Sequence, residues 1–124
     1  MINSFLNKPI ASVYSKSHSK SKISTQILYG EKFEIISRKK NWIKIKTKFD
    51  NYIGYIKNKN YTENHKPTHK IFSLKAAIVD KSNKTTAYLP FASKISIIQE
   101  RGDSIEYEKN KWIKKKNIKK INHI

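Results

Sequence analysis

The sequence contains no cysteine, which excludes disulfides, thiolate metal sites and a cysteine nucleophile. Glycine and proline occur only three times each in 124 residues. Acidic residues number nine against 27 basic ones, and Arg38 and Arg101 are the only arginines. No apolar run approaches the roughly 18 residues of a membrane span. The first nine residues lack the charged lead and apolar core of a secretory signal. A cytoplasmic protein is therefore expected, or a periplasmic or secreted one if a leader has been removed. Residues 10–57 also lack a helical period of any length.

The formal charge is +18, with residues 1–66 carrying net +10 and residues 67–124 net +8. Such an excess suits an anionic partner: nucleic acid, phospholipid or an acidic cell-wall polymer. Its even spread and its reliance on lysine fit compositional bias equally well, because nucleic-acid readers favour the bidentate arginine fork.

Alternation is the strongest pattern present. Lys32–Ile35 alternates polar and apolar residues, and Trp42–Lys46 puts Ile43 and Ile45 on one face and Lys44 and Lys46 on the other. Ser37–Asn41 has no apolar residue and is expected as a hairpin tip, and Phe49–Asn51 as a second turn. Tyr52–Ile56 is a third strand, with Gly54 marking a bend or a close backbone approach. Ile10–Tyr14 and Thr25–Leu28 add two strands around the Ser/Lys-rich loop 15–24. Short strands with polar turns imply a small antiparallel barrel, since closing the sheet removes exposed edges.

The second half repeats the first weakly. Phe91–Ile98 matches Tyr29–Ile36 at an offset of 62, as do Ile105 and Tyr107 with Ile43 and Ile45. Lys111–Ile113 matches Gly54–Ile56 at 57, and Ala77–Lys81 matches Ser12–Lys16 at 65. Offsets that shrink only across loops predict two copies of one fold. The expectation is an all-β chain of two consecutive small SH3-like barrels: residues 8–60, a linker at 61–70, and residues 71–121. The tail, 114–124, is expected as a last helical turn.

Four aromatic residues are candidate ligand contacts: Tyr14, Trp42, Tyr52 and Tyr55. Trp42 shares the parity of Lys44 and is expected to face outward, so an exposed aromatic row could stack on a sugar or peptide. The competing reading has these rings, with Tyr29, capping the barrel. Lys39, Lys40, Lys44, Lys46 and Lys48 form a candidate basic patch for phosphate tracking, or a solvated hairpin. The run of lysines from Lys109 to Lys120 invites the same two readings. Glu106 and Glu108 share a face among lysines and are not expected to form a catalytic pair. His65 and His69 have helical ligand spacing, but Pro67 between them breaks a helix, so no metal is expected. No cofactor is expected.

Residues 28–56 resemble a bacterial SH3-like barrel: Leu28-Tyr29-Gly30, an alternating strand, Trp42 after a turn, then Gly54-Tyr55-Ile56. With Gln26–Phe33, Asp50–Ile56, Pro67–Lys70 and Leu89–Ser93, the chain is similar to the N-terminal tandem SH3-like region of NlpC-type cysteine peptidases that cleave murein peptides. The resemblance implies a non-catalytic module that targets or positions such a peptidase and helps shape its pocket, with the catalytic domain in cis or trans and murein peptide fragments as partners. It also implies that the loop after Tyr14 and the Asp50–Tyr55 segment are contact surface, which adds Asp50 to the candidate contacts. The family's catalytic cysteine and histidines belong to a domain that this sequence does not contain. The alternative is a basic barrel binding RNA or single-stranded DNA.

Overall fold

In a computed structural model the described residues are 2–121, and they fall into two units, Met1–His65 and Lys66–Ile124. Both are antiparallel β structures, and a 3-10 turn spans Lys115–Asn117.

The first unit has six strands: β1 (Ile2–Phe5), β2 (Ile10–Tyr14), β3 (Ile23–Leu28), β4 (Lys32–Arg38), β5 (Trp42–Thr47) and β6 (Ile53–Lys57). They form one sheet in the order β1-β4-β5-β6-β2-β3. Alternation decides which side chains enter the core. Ile43 and Ile45 are fully buried in β5, while Trp42, Lys44 and Lys46 lie on the other face. Val13, Ile27, Phe33 and Ile56 come in from the neighbouring strands, and Tyr61 closes the cluster edge-on against Phe33, 5.4 Å between centroids.

Gly54 is required by close approach. A Cβ there would lie 2.6 Å from Val13 Cγ1 and 2.9 Å from the Tyr14 carbonyl. Gly30 sits in the β3–β4 turn at φ +80°, where glycine carries no steric cost. Glu31 completes that turn, its carboxylate accepting the Leu28 N–H at 2.8 Å.

The second unit contains β7 (His69–Ile71), β8 (Lys75–Val79), β9 (Thr85–Pro90), β10 (Lys94–Ile95), β11 (Gln99–Arg101), β12 (Ser104–Glu108), β13 (Lys111–Lys114) and β14 (Ile118–Lys120). They form two sheets, β10-β7-β14 and β11-β12-β13-β8-β9. Ile71, Ile78, Leu89, Ile95, Ile105 and Ile113 are buried. The expectation of two small SH3-like barrels matches this architecture.

Several local expectations are corrected. Residues 2–5, which lie before the expected first barrel at 8–60, form β1, which pairs with β4 from Ile2↔Ile35 to Phe5↔Lys32. The tip expected at Ser37–Asn41 is shorter: β4 continues to Arg38 because a bulge after Ile35 shifts the register and keeps Ser37 paired with Lys44. The tail is a 3-10 turn followed by a strand, since Ile118–Lys120 pairs with β7. Residues 122–124 lie outside the described residues. In the stretch 61–70, Tyr61 is in the first core, Thr62 bridges to Phe5, and His69–Lys70 belong to β7.

Candidate functional site

The outer face of the first barrel is built where β2, β5 and β6 run side by side. Tyr14 at the end of β2 pairs with Tyr55 of β6, and Tyr55 pairs in turn with Lys44 of β5. Two residues earlier in β5, Trp42 pairs with Lys57. The parity that buries Ile43 and Ile45 therefore puts Tyr14, Trp42, Lys44 and Tyr55 together on the opposite face, all half-buried. The Tyr14 and Trp42 rings meet edge to face, 5.4 Å between centroids at 84°. Lys57 Nζ lies 5.6 Å from the Trp42 centroid, over its ring.

Two hollows share Trp42 as a wall. One, of about 410 Å³, includes His18, Ser19, Lys40, Lys57 and Asn58 in its lining. The other, of about 190 Å³, is lined by Ser17, Ser37, Lys39, Trp42, Lys44 and Tyr55. The loops that rim them are pinned. Ser21 Oγ donates to the His18 carbonyl at 2.7 Å. Asn58 Nδ2 donates to the carbonyls of Lys39 and Lys40 at 2.9 and 3.2 Å, and Asn58 Oδ1 accepts from Arg38. An aromatic surface with ammonium groups at its rim can hold a peptide or sugar that carries anionic groups.

The structure divides the predicted ligand set. Tyr14, Trp42 and Tyr55 come together. Asp50 and Tyr52 sit at the turn end of the β5–β6 hairpin, where Thr47 Oγ donates to the Asp50 carboxylate and accepts the Tyr52 N–H at 3.0 Å. Asp50 therefore shapes a turn, and the Tyr52 ring packs against the core. The basic patch divides in the same way. Lys39, Lys40 and Lys44 border the hollows. Lys46 and Lys48 lie toward the far end of β5, beside Glu34. Lys48 is ion-paired with Glu34, and its hydrogen bond holds that carboxyl below its ordinary pKa. Lys57, His18 and Asn58 were missed: a lysine at a strand end carries no signal until the Trp42↔Lys57 register is known.

The remaining candidates resolve as structure. A bulge between Glu106 and Glu108 breaks their shared face. Glu106 is buried, accepting from Gln99 Nε2 at 2.8 Å and from the Asn110 N–H at 2.7 Å, and these two bonds lower its pKa. Glu108 pairs with Lys111 at 3.1 Å. His65, expected as solvated linker, packs edge-on against Phe5 and Tyr29, and Tyr29 is buried. His69 Nδ1 lies 2.8 Å from Thr68 Oγ. Among the described residues no three His, Cys, Asp or Glu side chains cluster as metal ligands, and no helix is long and apolar enough to cross a membrane.

Residues 13–60 match the family described as bacterial dipeptidyl-peptidase Sh3 domain. The chain is also similar to the crystal structure of an NlpC/P60 family protein from Bacillus cereus ATCC 10987, with a TM-score of 0.77 and 13% identity. That match covers 96% of this chain and 56% of the Bacillus protein, so the chain spans little more than half of its length. No curated protein matches in sequence. Residues 13–60, which carry the whole Tyr14–Trp42–Tyr55 face, are thus similar to a bacterial SH3 domain family, and the chain has the fold of part of an NlpC/P60 family protein.

Proposed function

We propose that the chain is a non-catalytic accessory module that positions an NlpC-type murein peptidase domain, in cis or in trans, and that its aromatic face helps form the pocket for murein peptide fragments. The observation that carries this reading is the meeting of Tyr14, Trp42 and Tyr55 within the matched residues 13–60. Lys39, Lys44 and Lys57 at the rim suit the carboxylates of a murein stem peptide.

The test is a titration of the isotope-labelled chain with a murein tripeptide, alone and with an added NlpC-type catalytic domain, followed by amide NMR. Shifts should centre on Tyr14, Trp42 and Tyr55, and Trp42→Ala should weaken them about tenfold. Absence of shifts in both titrations at millimolar peptide overturns the reading.

The same lysines beside stacking rings support a second reading, single-stranded nucleic acid. It requires affinity that falls linearly in log salt. Because Lys46 and Lys48 lie toward the other end of β5, few phosphates could be tracked at this face, and the slope should be shallow. Loss of all oligonucleotide affinity at about 0.15 M salt removes this reading.

A further inference from the structure

The second barrel has a cleft of about 200 Å³ at the position of the first barrel's aromatic face. Its lining includes Asp80, Lys81, Arg101, Ser104, Trp112 and Lys114. Equivalence follows from the strand registers. Trp112 pairs with Val79 and Glu106, as Tyr55 pairs with Tyr14 and Lys44. Ser104 pairs with Lys114, as Trp42 pairs with Lys57. The second barrel thus has Val79 and Ser104 where the first has Tyr14 and Trp42. Loss of those two rings opens the cleft and leaves Trp112 as its floor.

The cations did not change. Lys81, Arg101 and Lys114 stand where the first barrel has Lys16, Lys39 and Lys57, at offsets of 65, 62 and 57. The Arg101 guanidinium lies over the Trp112 ring, 5.3 Å from its centroid, which orients the fork. The one carboxylate in the lining is engaged by its own loop: Asp80 Oδ1 accepts the N–H groups of Ser82 and Lys84 at 2.9 and 3.0 Å. Asn110 fixes the loop carrying Lys81, accepting the Lys81 N–H at 2.8 Å. Lys114 is shared with Asp103 at 3.2 Å.

We propose that this cleft binds a compact oxyanion carried on a small flat or apolar body, with Arg101 as the bidentate contact, Lys81 and Lys114 as flanking charges and Trp112 as the apolar floor. The volume suits a single terminal residue or a phosphate monoester rather than a longer ligand. Peptide carboxylate and phosphate share this chemistry. The site lies outside residues 13–60 and stands independently of the first barrel's reading.

The experiment is amide NMR on the full chain at about 0.15 M salt, with three probes: N-acetyl-alanyl-alanine, its C-terminal amide, and phenyl phosphate. The free carboxylate, the phosphate or both should shift Asn83, Ser104 and Ile113, and the amide should not. Whichever anion binds more tightly identifies the source. Arg101→Gln should weaken binding about tenfold, and Arg101→Lys should retain part of it, because charge remains while the fork is lost. Arg101 is exposed, so neither variant threatens the fold. Equal shifts by acid and amide, shifts spread over lysines elsewhere, no shifts at about 10 mM probe, or full binding by Arg101→Gln would each overturn the site.

Discussion

The two barrels repeat one hydrogen-bond scheme with different side chains. Leu6, Gly30 and Glu31 of the first barrel correspond to Ile71, Ala92 and Ser93 of the second. The same exchanges recur: the Leu6 N–H to Glu31 and the Gly30 N–H to Leu6, then the Ile71 N–H to Ser93 and the Ala92 N–H to Ile71. Strands β2 and β8 share one burial pattern, as do β3 and β9. The sheets differ because one turn is shorter. In the first barrel β5 reaches Thr47, which pairs with Phe33. In the second, β12 ends at Glu108 and the turn is Lys109-Asn110, so Ile95 finds no partner there and pairs only with β7. Closure shifts to the other side, where β14 replaces the single Phe5↔Thr62 bridge. The capping residue changes for a similar local reason. Glu31 receives the Leu28 N–H, whereas Pro90 at that position has none to give, and the Ser93 hydroxyl that replaces the carboxylate is buried without a hydrogen-bond partner. Backbone geometry is thus kept while the side chains that complete it are replaced.

The largest effects should come from the cores. Phe33 and Ile95 occupy equivalent, fully buried positions. Phe33→Ala should cost about 3–5 kcal/mol and Ile95→Ala roughly 2–5. Phe33 should head the pair because it also loses the edge contact with Tyr61. Urea unfolding followed by residue-resolved NMR measures both, and equal costs would mean that the ring contact contributes nothing. Next comes Gly54, whose counterpart is Lys111. Gly54→Ala should cost about 1–3 kcal/mol by overpacking against Val13 and the Tyr14 carbonyl. Lys111→Ala should stay within about 0.5 kcal/mol, since the shorter turn leaves that position exposed. A tolerated Gly54→Ala would show that the two strands can separate slightly there.

Much of this comparison was legible in the sequence. Alternation marked the central strands, and the offsets of 65, 62 and 57 are those that the pairing registers obey. What escaped lacks a periodic signature. Residues 2–5 form a strand only because β4 offers an edge, and Ile118–Lys120 only because β7 does. Outward parity brought out Trp42 and Tyr55, but parity cannot say which end of a hairpin a residue occupies. Tyr52 enters the candidate contacts as an aromatic and Asp50 through the family resemblance, and the β5–β6 turn removes both from that face. The second cleft was unreadable for a different reason: it exists where aromatic residues have been lost.

A smaller effect separates the two equivalent left-handed positions. Gly30 lies at φ +80° and Ala92 at φ +73°. An L-residue costs about 1–2 kcal/mol in that region, partly offset by glycine's greater freedom when unfolded. Ala92→Gly should therefore stabilise the second barrel by about 0.5–1 kcal/mol, and Gly30→Ala should destabilise the first by about 1 kcal/mol. Thermal melts read at each barrel's own amides test both. If both substitutions lower stability, the positions are equivalent in backbone but not in surroundings.

The last contrast is electrostatic. Lys44 in β5 and Glu106 in β12 occupy equivalent positions, each opposite an aromatic, Tyr55 or Trp112. Lys44 faces the groove, whereas Glu106 is buried and accepts hydrogen bonds on both carboxylate oxygens. These bonds hold its pKa below the ordinary 4.5. A depressed carboxyl stabilises the fold above its unfolded pKa, and that contribution is lost as pH falls through the folded value. Glu106→Gln replaces one acceptor oxygen with a donor that faces a donor. It should therefore weaken the second barrel at pH 7, and the gap to the parent should narrow as the pH is taken below 4.5. Asp103, also depressed by its partner Lys114, is present in both proteins and cancels in the difference. Urea titrations of the parent and variant at several pH values measure that gap. A gap independent of pH would mean that Glu106 acts through shape and hydrogen-bond count, with its charge contributing nothing.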